Sequence, residues 1–160
     1  MRKGRRLAVD AGKARVGLAI SDQDGILAVP FATVPRAESV EQTAQAVKAA
    51  SGDYSFIEVY VGLPLSLNGQ PTPSTEDALS VAAQIEVVLG LKVRLIDERL
   101  TTVTAAANLR MAGRNSKNSR SVIDQEAAAI ILEQALSGER ATGNPPGITL
   151  NEYTATMEQR

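Results

Sequence analysis

The sequence predicts one α/β domain built on a mixed β-sheet, and three observations support this. Three β-rich runs within the first 34 residues are joined by short turns, which is typical of antiparallel hairpins. Two later β-rich runs each follow a helical pattern, so they are expected to lie parallel to the first strand. A chain of 160 residues, 44% of them hydrophobic, is long enough to bury one core.

The turns define the antiparallel part of the sheet. Residues 5–10 and 15–21 are the first two predicted strands, with a tight turn between them. Asp24 and Gly25 form a second hairpin signal, and residues 26–34 form the third strand. Pro30 lies within this third strand and cannot donate a hydrogen bond to a neighbouring strand. We therefore expect the third strand at an edge of the sheet.

The rest of the chain alternates between helices and strands, with helix limits set by N-terminal capping patterns and C-terminal glycines. The predicted elements are, in chain order, a helix from Ser39 to Gly52, a strand at 56–61, a helix from Ser74 to Gly90, a strand at 92–96, a helix from Thr101 or Thr102 to Gly113, and a helix from Ser119 to Ser137. Residues 139–160 contain Asn-Pro-Pro-Gly and little hydrophobic periodicity. We expect a domain of residues 1–138 and a mostly irregular C-terminal tail of residues 139–160.

The composition excludes several classes of chemistry. The chain has no cysteine, which excludes disulfides, thiolate nucleophiles and zinc–thiolate sites. It has no histidine, which excludes Ser-His-Asp triads and histidine bases. Aromatic residues make up only 3%, so broad base-stacking platforms are not expected. No apolar run reaches the length of a membrane span, and we expect a cytoplasmic protein with no membrane partner.

Basic residues are concentrated in two segments although the net charge is only −1. Residues 1–20 carry six basic groups and one acid, and residues 99–120 carry five basic groups and no acid. Such a distribution allows a basic face on a nearly neutral protein, as nucleic-acid binding requires. The alternative is ordinary solvated surface charge.

Three acidic positions are candidates for catalysis, and each has a structural alternative. Asp10 ends the first strand, where Asp-Ala-Gly also favours a turn. Glu98, beside Asp97, follows the fifth strand at the end where open α/β sheets bind ligands, but acids there also favour a helix N-terminus. Asp124 lies on the apolar stripe of the last helix, or else forms a capping box with Ser121.

Taken together, the acids indicate a metal site. Carboxylates that share a pocket repel one another and need a counter-charge. Mg²⁺ prefers oxygen ligands, and a pair of such ions can activate water and stabilise a leaving oxygen without histidine or cysteine. We expect Asp10, Glu98 and Asp124 to converge as catalytic and metal-binding residues, with Asp97 replacing Glu98 if strand alternation turns Glu98 away. The basic stretch between Glu98 and Asp124 would suit a phosphodiester substrate.

Four segments carry a family resemblance. They are residues 7–17 (LAVDAGKARVG), 61–64 (VGLP), 97–102 (DERLTT) and 123–129 (IDQEAAA). In this order they resemble the YqgF/RuvX family of bacterial pre-16S rRNA nucleases, which is related to Holliday-junction resolvases. The resemblance implies an RNase H-like fold with a five-stranded sheet ordered 3-2-1-4-5, in which strand 2 is antiparallel. It also implies a nuclease dependent on Mg²⁺ or Mn²⁺ whose acids match Asp10, Glu98 and Asp124.

The expected function is endonucleolytic cleavage of structured RNA, at the 5′ end of precursor 16S rRNA in ribosome biogenesis, by a monomer or homodimer that could also contact ribosomal particles. Alternatives are a DNA resolvase for branched DNA, which needs a two-fold dimer, and a non-catalytic nucleic-acid-binding module. The residues expected to contact nucleic acid are Lys13, Arg15, Arg99, Arg110, Arg114, Lys117 and Arg120.

Overall fold

The computed structural model describes residues 1–100 and 119–159, and in this part of the chain the fold is a six-stranded sheet between two layers of helices. The strands are β1 (Arg5–Ala11), β2 (Arg15–Ser21), β3 (Ala28–Pro35), β4 (Phe56–Leu63), β5 (Val93–Asp97) and β6 (Ile148–Thr149). The helices are α1 (Val40–Ala50), α2 (Pro73–Leu89), α3 (Ser119–Thr142) and α4 (Leu150–Glu158), with a 3-10 helix at Glu98–Leu100. The helix predicted from Thr101 or Thr102 to Gly113 lies outside the described residues.

The sheet order is β3-β2-β1-β4-β5-β6, which confirms the predicted order 3-2-1-4-5 and adds one strand. β2 is antiparallel to β1 and β3, whereas β1, β4 and β5 are mutually parallel. β3 lies at the edge, as Pro30 predicted. The register shifts where Leu18 pairs with Ala32 and Ala19 pairs with Pro30, so the proline sits at an irregularity of an edge strand.

Strand alternation divides the core into two layers. Leu7 and Val9 of β1 face α1 and α2, together with the larger hydrophobic cluster. Ala8 faces the other side and packs against α3. The residues of α3 that cover this side are small or aliphatic, so the helix lies close to the sheet; they include Ala128, Ile131, Leu132, Ala135 and Leu136. Within the described residues, no helix is long and apolar enough to cross a membrane.

The prediction of a mostly irregular segment at 139–160 is wrong. α3 continues to Thr142, β6 pairs antiparallel with β5, and α4 follows directly. Thr149 accepts a hydrogen bond from the backbone of Glu152, whose side chain binds the Thr149 N–H in return, so a capping box begins α4. Tyr153 then packs against the larger cluster. α3 crosses residue 138 without a break, and the boundary expected there stays a prediction.

The start of α2 also differs from the prediction. The N-cap is Thr72 rather than Ser74, and Thr72 and Thr75 form the capping box. Pro73 occupies the first helical turn, where its fixed φ and missing N–H are tolerated. The threonine pair therefore satisfies the free N–H groups two residues earlier than expected.

A buried ionic network connects the N-terminal segment to the C-terminal half of α3. Arg6 is fully buried, and its Nη2 lies 3.0 Å from Oε2 of Glu139, which is 3% exposed. Arg2 Nη2 lies 2.6 Å from Oε1 of Glu139 and 2.7 Å from Oε1 of Glu58 on β4. Burial alone would raise the pKa of Glu139, but the hydrogen bonds from Arg2 lower it below its usual range. Arg2 and Arg6 thus hold the fold together rather than adding to a basic face.

Replacing Glu139 by alanine is expected to lower the free energy of unfolding by about 3–5 kcal/mol, because the buried Arg6 would lose its counter-charge. Chemical denaturation measures the change. The control is Glu133→Ala, an exposed acid on the same helix, which should change stability by less than about 0.5 kcal/mol. Equal losses of unfolding free energy in the two variants would show that the buried ion pair stabilises the fold no more than an exposed acid does.

Candidate active site

Asp10 and Glu98 form the centre of the site. Asp10 lies near the end of β1 on the side facing α3, and Glu98 begins the 3-10 helix that follows β5. Their carboxyl groups are hydrogen-bonded to each other, although β4 separates the two strands. The two strand-end acids predicted from the sequence are therefore brought together.

Gly62 makes this contact possible. Val9 pairs with Val61 across β1 and β4, so Gly62 is the neighbour of Asp10 in the sheet. A Cβ on Gly62 would overlap Oε1 of Glu98 and would lie 2.6 Å from Cδ1 of Ile131 in α3. Because glycine leaves this space empty, the Glu98 carboxylate can cross β4 to reach Asp10.

Burial and mutual repulsion make the pair bind a proton. Burial raises the pKa of Asp10, the hydrogen bond from Glu98 opposes this, and the charge of Asp124 adds to it. Burial and the charge of Asp10 raise the pKa of Glu98 to about 8. At neutral pH the pair thus shares a proton in the absence of any other cation. A divalent cation could take the place of that proton, since carboxylate oxygens are its preferred ligands.

Asp124 lies beside the pair but is engaged by a cation of the chain. Its Cβ is 3.1 Å from the position that a Cβ of Gly17 would take, and Gly17 is the β2 partner of Asp10. Since directly paired residues have Cβ atoms about 5 Å apart, Asp10 and Asp124 are separated by at most about 9 Å at Cβ. Oδ2 of Asp124 accepts a hydrogen bond of 2.7 Å from Nε of Arg15. Ser121 lies inside α3, so the alternative of a capping box with Asp124 is wrong.

The three acids are adjacent without forming a ready metal cage. Among the described residues, no three Asp or Glu side chains are arranged to hold a metal ion. Asp124 instead forms an ion pair with Arg15. The donor set nevertheless fits a divalent cation: Asp10 and Glu98 are in contact, and Asp124 would complete the set on leaving Arg15.

Asp97 does not replace Glu98. Strand alternation places Asp97 on the same side of β5 as Leu95, away from α3. Its carboxylate accepts hydrogen bonds from Arg99, at 2.7 Å from Nη2 and 2.9 Å from the backbone N. Hydrogen bonding to the Arg99 side chain lowers the pKa of Asp97 below its usual range.

Three of the predicted nucleic-acid contacts surround the acids. Lys13 is exposed in the turn between β1 and β2, Arg15 binds Asp124, and Arg99 binds Asp97. Arg120 lies in α3, and its side chain is outside the described part. Arg110, Arg114 and Lys117 lie outside the described residues. The three described cations stand at the edge of the sheet where β1 and β5 end.

Sequence reasoning missed Arg36, which supports the β1–β2 turn. Its Nη1 donates to the carbonyl of Gly12 at 3.0 Å and to Oδ2 of Asp77 at 2.7 Å. Asp77 lies in the second turn of α2, so Arg36 ties the turn carrying Lys13 to the opposite helix layer. The signal in the sequence was weak, because Arg36 and Asp77 are 41 residues apart.

The raised pKa of Glu98 predicts a pH dependence of stability in metal-free protein. The native pair keeps a proton that the unfolded chain releases above its ordinary pKa of 4.5, so stability falls as pH rises from about 5 to about 8. Glu98→Gln should flatten this slope and raise the free energy of unfolding at pH 8 by on the order of 1 kcal/mol. Denaturation in EDTA at several pH values measures this dependence of the unfolding free energy on pH. With no histidine in the chain, few other side chains titrate there. Glu133→Gln is the control, and an unchanged slope in Glu98→Gln would contradict the assignment.

The chain is similar to a known protein family and to several of its members over most of its length. The RuvX family model, described as Holliday junction resolvase, matches residues 4–138. A protein of Clavibacter michiganensis named "Putative pre-16S rRNA nuclease" is 49% identical over 147 residues, covering 92% of this chain and 91% of that protein. A protein of the same name from Streptomyces avermitilis is 50% identical over 148 residues, covering 92% and 94%.

A solved structure shows the same fold. T. thermophilus RuvC in complex with a Holliday junction substrate aligns with a TM-score of 0.59 and 14% identity, covering 89% of this chain and 99% of that chain. The likeness confirms the predicted RNase H-like fold. On the family match and the identity to its relatives, the chain belongs to the RuvX family.

Proposed function

We propose that this protein is a metal-dependent endonuclease that hydrolyses phosphodiester bonds in structured RNA, in the 5′-end processing of precursor 16S rRNA in the cytoplasm. The observation that carries the proposal is the partly buried, hydrogen-bonded pair of Asp10 and Glu98 with Asp124 alongside. The names of the relatives support the choice of substrate.

Asp10, Glu98 and Asp124 would hold Mg²⁺ or Mn²⁺, which supplies Lewis-acid activation of water and of the phosphate. A bound cation would favour the charged forms of Asp10 and Glu98, because its positive charge would oppose the effects of burial and of the neighbouring carboxylate that raise the pKa of Glu98. Asp124 would then serve as a ligand in place of its ion pair with Arg15, and Arg15 would be available to bind a substrate phosphate next to the acids.

The basic residues have a separate role. Lys13 is exposed and extends from a turn held by Arg36, so it can bind a phosphate without losing a partner among residues 1–100 and 119–159. Arg99 is exposed beside Asp97 on the far side of the acid pair. Phosphates bound by these residues would place the backbone across the carboxylates.

A second candidate function is the resolution of branched DNA. The description of the family model favours it. A resolvase must cut two strands symmetrically and therefore acts as a two-fold dimer. A direct comparison of substrates distinguishes the two functions.

Cleavage is expected to require Mg²⁺ or Mn²⁺ and to favour precursor 16S rRNA over single-stranded RNA and a four-way DNA junction. Loss of a group that orients a metal ligand costs about 10–100-fold, so Asp10→Asn, which alters a ligand itself, should lower the rate by more than about 100-fold. Asp53→Asn is the control, since Asp53 is exposed in the loop before β4 at the opposite end of the sheet. Preferred cleavage of the junction would support the resolvase, and cleavage in EDTA would contradict metal dependence.

Lys13→Ala is expected to weaken RNA binding and to make its salt dependence shallower by roughly one unit of slope, since each phosphate contact contributes about −0.7 to −0.9. The measurement is affinity against salt concentration in the Asp10→Asn background, which prevents cleavage. Lys48→Ala, an exposed lysine of α1 on the other side of the sheet, should leave the slope unchanged. The same measurement applies to Arg114→Ala and Arg120→Ala, and wild-type slopes in all three would assign these residues to solvated surface.

A further inference from the structure

Leu67 is the most exposed large hydrophobic side chain in the described part of the chain. It is 96% exposed, compared with 74% for Val87 and 64% for Ile26. It lies in the turn that follows β4, the strand that also contributes Gly62 to the site. A single exposed leucine is common on protein surfaces and means little by itself. For Leu67, the structure of the turn that carries it and the contact of that turn with Arg99 suggest a function.

The turn that carries Leu67 is closed by hydrogen bonds on both sides. Leu65 and Pro71 form a β-bridge, and the Ser66 N–H donates to the carbonyl of Gln70 at 3.0 Å. Gly69 donates its N–H to the carbonyl of Ser66 at 2.8 Å and has a φ of +82°, which favours glycine. The backbone therefore presents Leu67 at the tip in a fixed direction.

Arg99 ties this tip to the active site. Its Nη1 donates to the carbonyl of Leu67 at 3.4 Å and lies 3.1 Å from the position of a Cβ on Gly69. Arg99 directly follows Glu98, one of the paired acids. An apolar side chain thus projects into solvent at the edge of the sheet where the carboxylates lie, with a guanidinium at its base.

We propose that Leu67 is a wedge that packs against an unstacked base of the nucleic-acid substrate where a duplex is interrupted. This inference rests on the proposed function. Leucine is among the side chains that proteins insert between base steps, since both faces of a base are apolar. The chain has no tryptophan and few aromatic residues, so an aliphatic side chain is the available means of holding an unstacked base. Arg99 can bind the phosphate of the same nucleotide.

The wedge would make the enzyme select interrupted helices. A continuous duplex offers no gap for Leu67, whereas a junction between a helix and a single strand does. Contact with the base would fix the register of the backbone relative to Asp10 and Glu98. Leu67 would then act as a specificity-determining residue.

The test compares two RNAs of equal length, a continuous duplex and one with a helix–single-strand junction containing 2-aminopurine. Affinity and 2-aminopurine fluorescence are measured for the wild type, Leu67→Ala and Leu67→Met. The wild type is expected to prefer the junction RNA over the duplex and to raise the 2-aminopurine fluorescence on binding. Leu67→Ala is expected to lower that preference about fivefold or more and to abolish the rise in fluorescence. Leu67→Met, which keeps an apolar chain of similar length, should retain both.

The controls are Val87→Ala on α2 and Ile26→Ala in the β2–β3 hairpin, which remove comparable exposed apolar groups away from the acids. Melting temperatures confirm that all variants fold. If the wild type cleaves RNA but Leu67→Ala matches these controls in preference and fluorescence, the wedge is overturned and the proposed function stands. If the wild type neither binds nor cleaves any nucleic acid, both are overturned.

Discussion

The structure around the site depends on the contact between the partly buried carboxyl groups of Asp10 and Glu98. The sheet order places β4 between the strands that carry Asp10 and Glu98, so any side chain at position 62 would keep them apart. On the other side of Asp10, a side chain at position 17 would displace the backbone of α3 at Asp124. Glycines at the positions next to Asp10 in β2 and β4 therefore leave room for its contact with Glu98 and for the approach of α3 at Asp124.

The charged groups near the two ends of α3 are arranged differently. At its C-terminal half, two arginines meet two glutamates, so the network around Arg6 and Glu139 is neutral without any ligand. At the other end, within the part of the chain that the structure describes, Asp10, Glu98 and Asp124 lie close together and Arg15 binds Asp124. The first arrangement is complete and stabilises the fold. In the second, the acids raise one another's pKa values, which is a feature of sites that bind a cation.

Strand ends, turns and Pro30 are local signals, so the sequence predicted the antiparallel hairpins, the edge position of β3 and the two strand-end acids, whereas the order 3-2-1-4-5 was implied by the family resemblance. The role of Gly62 was not predicted, because it depends on the register of β4 against β1 and on the path of the Glu98 side chain. The ion pair of Arg15 with Asp124 spans 109 residues and arises only when α3 packs on β2. Residues 148–158 are a different case: the Thr149 and Glu152 capping box was present in the sequence, but the helix it begins has only nine residues. Such a short element gives little periodicity.

The position of the third acid depends on how α3 packs, whereas the other two are fixed by the register of the sheet. Asp10 and Glu98 cannot shift without breaking the pairing of β1, β4 and β5. Asp124 lies on a helix that packs on the sheet through alanine and larger aliphatic side chains. Arg6, on β1, binds Glu139 at the other end of the same helix, and Arg2 adds a link to β4. Separating a buried ion pair is costly, because each charge would be left buried without its partner. The ionic network therefore sets the position of α3 along the strands, and with it the distance from Asp124 to the carboxylate pair.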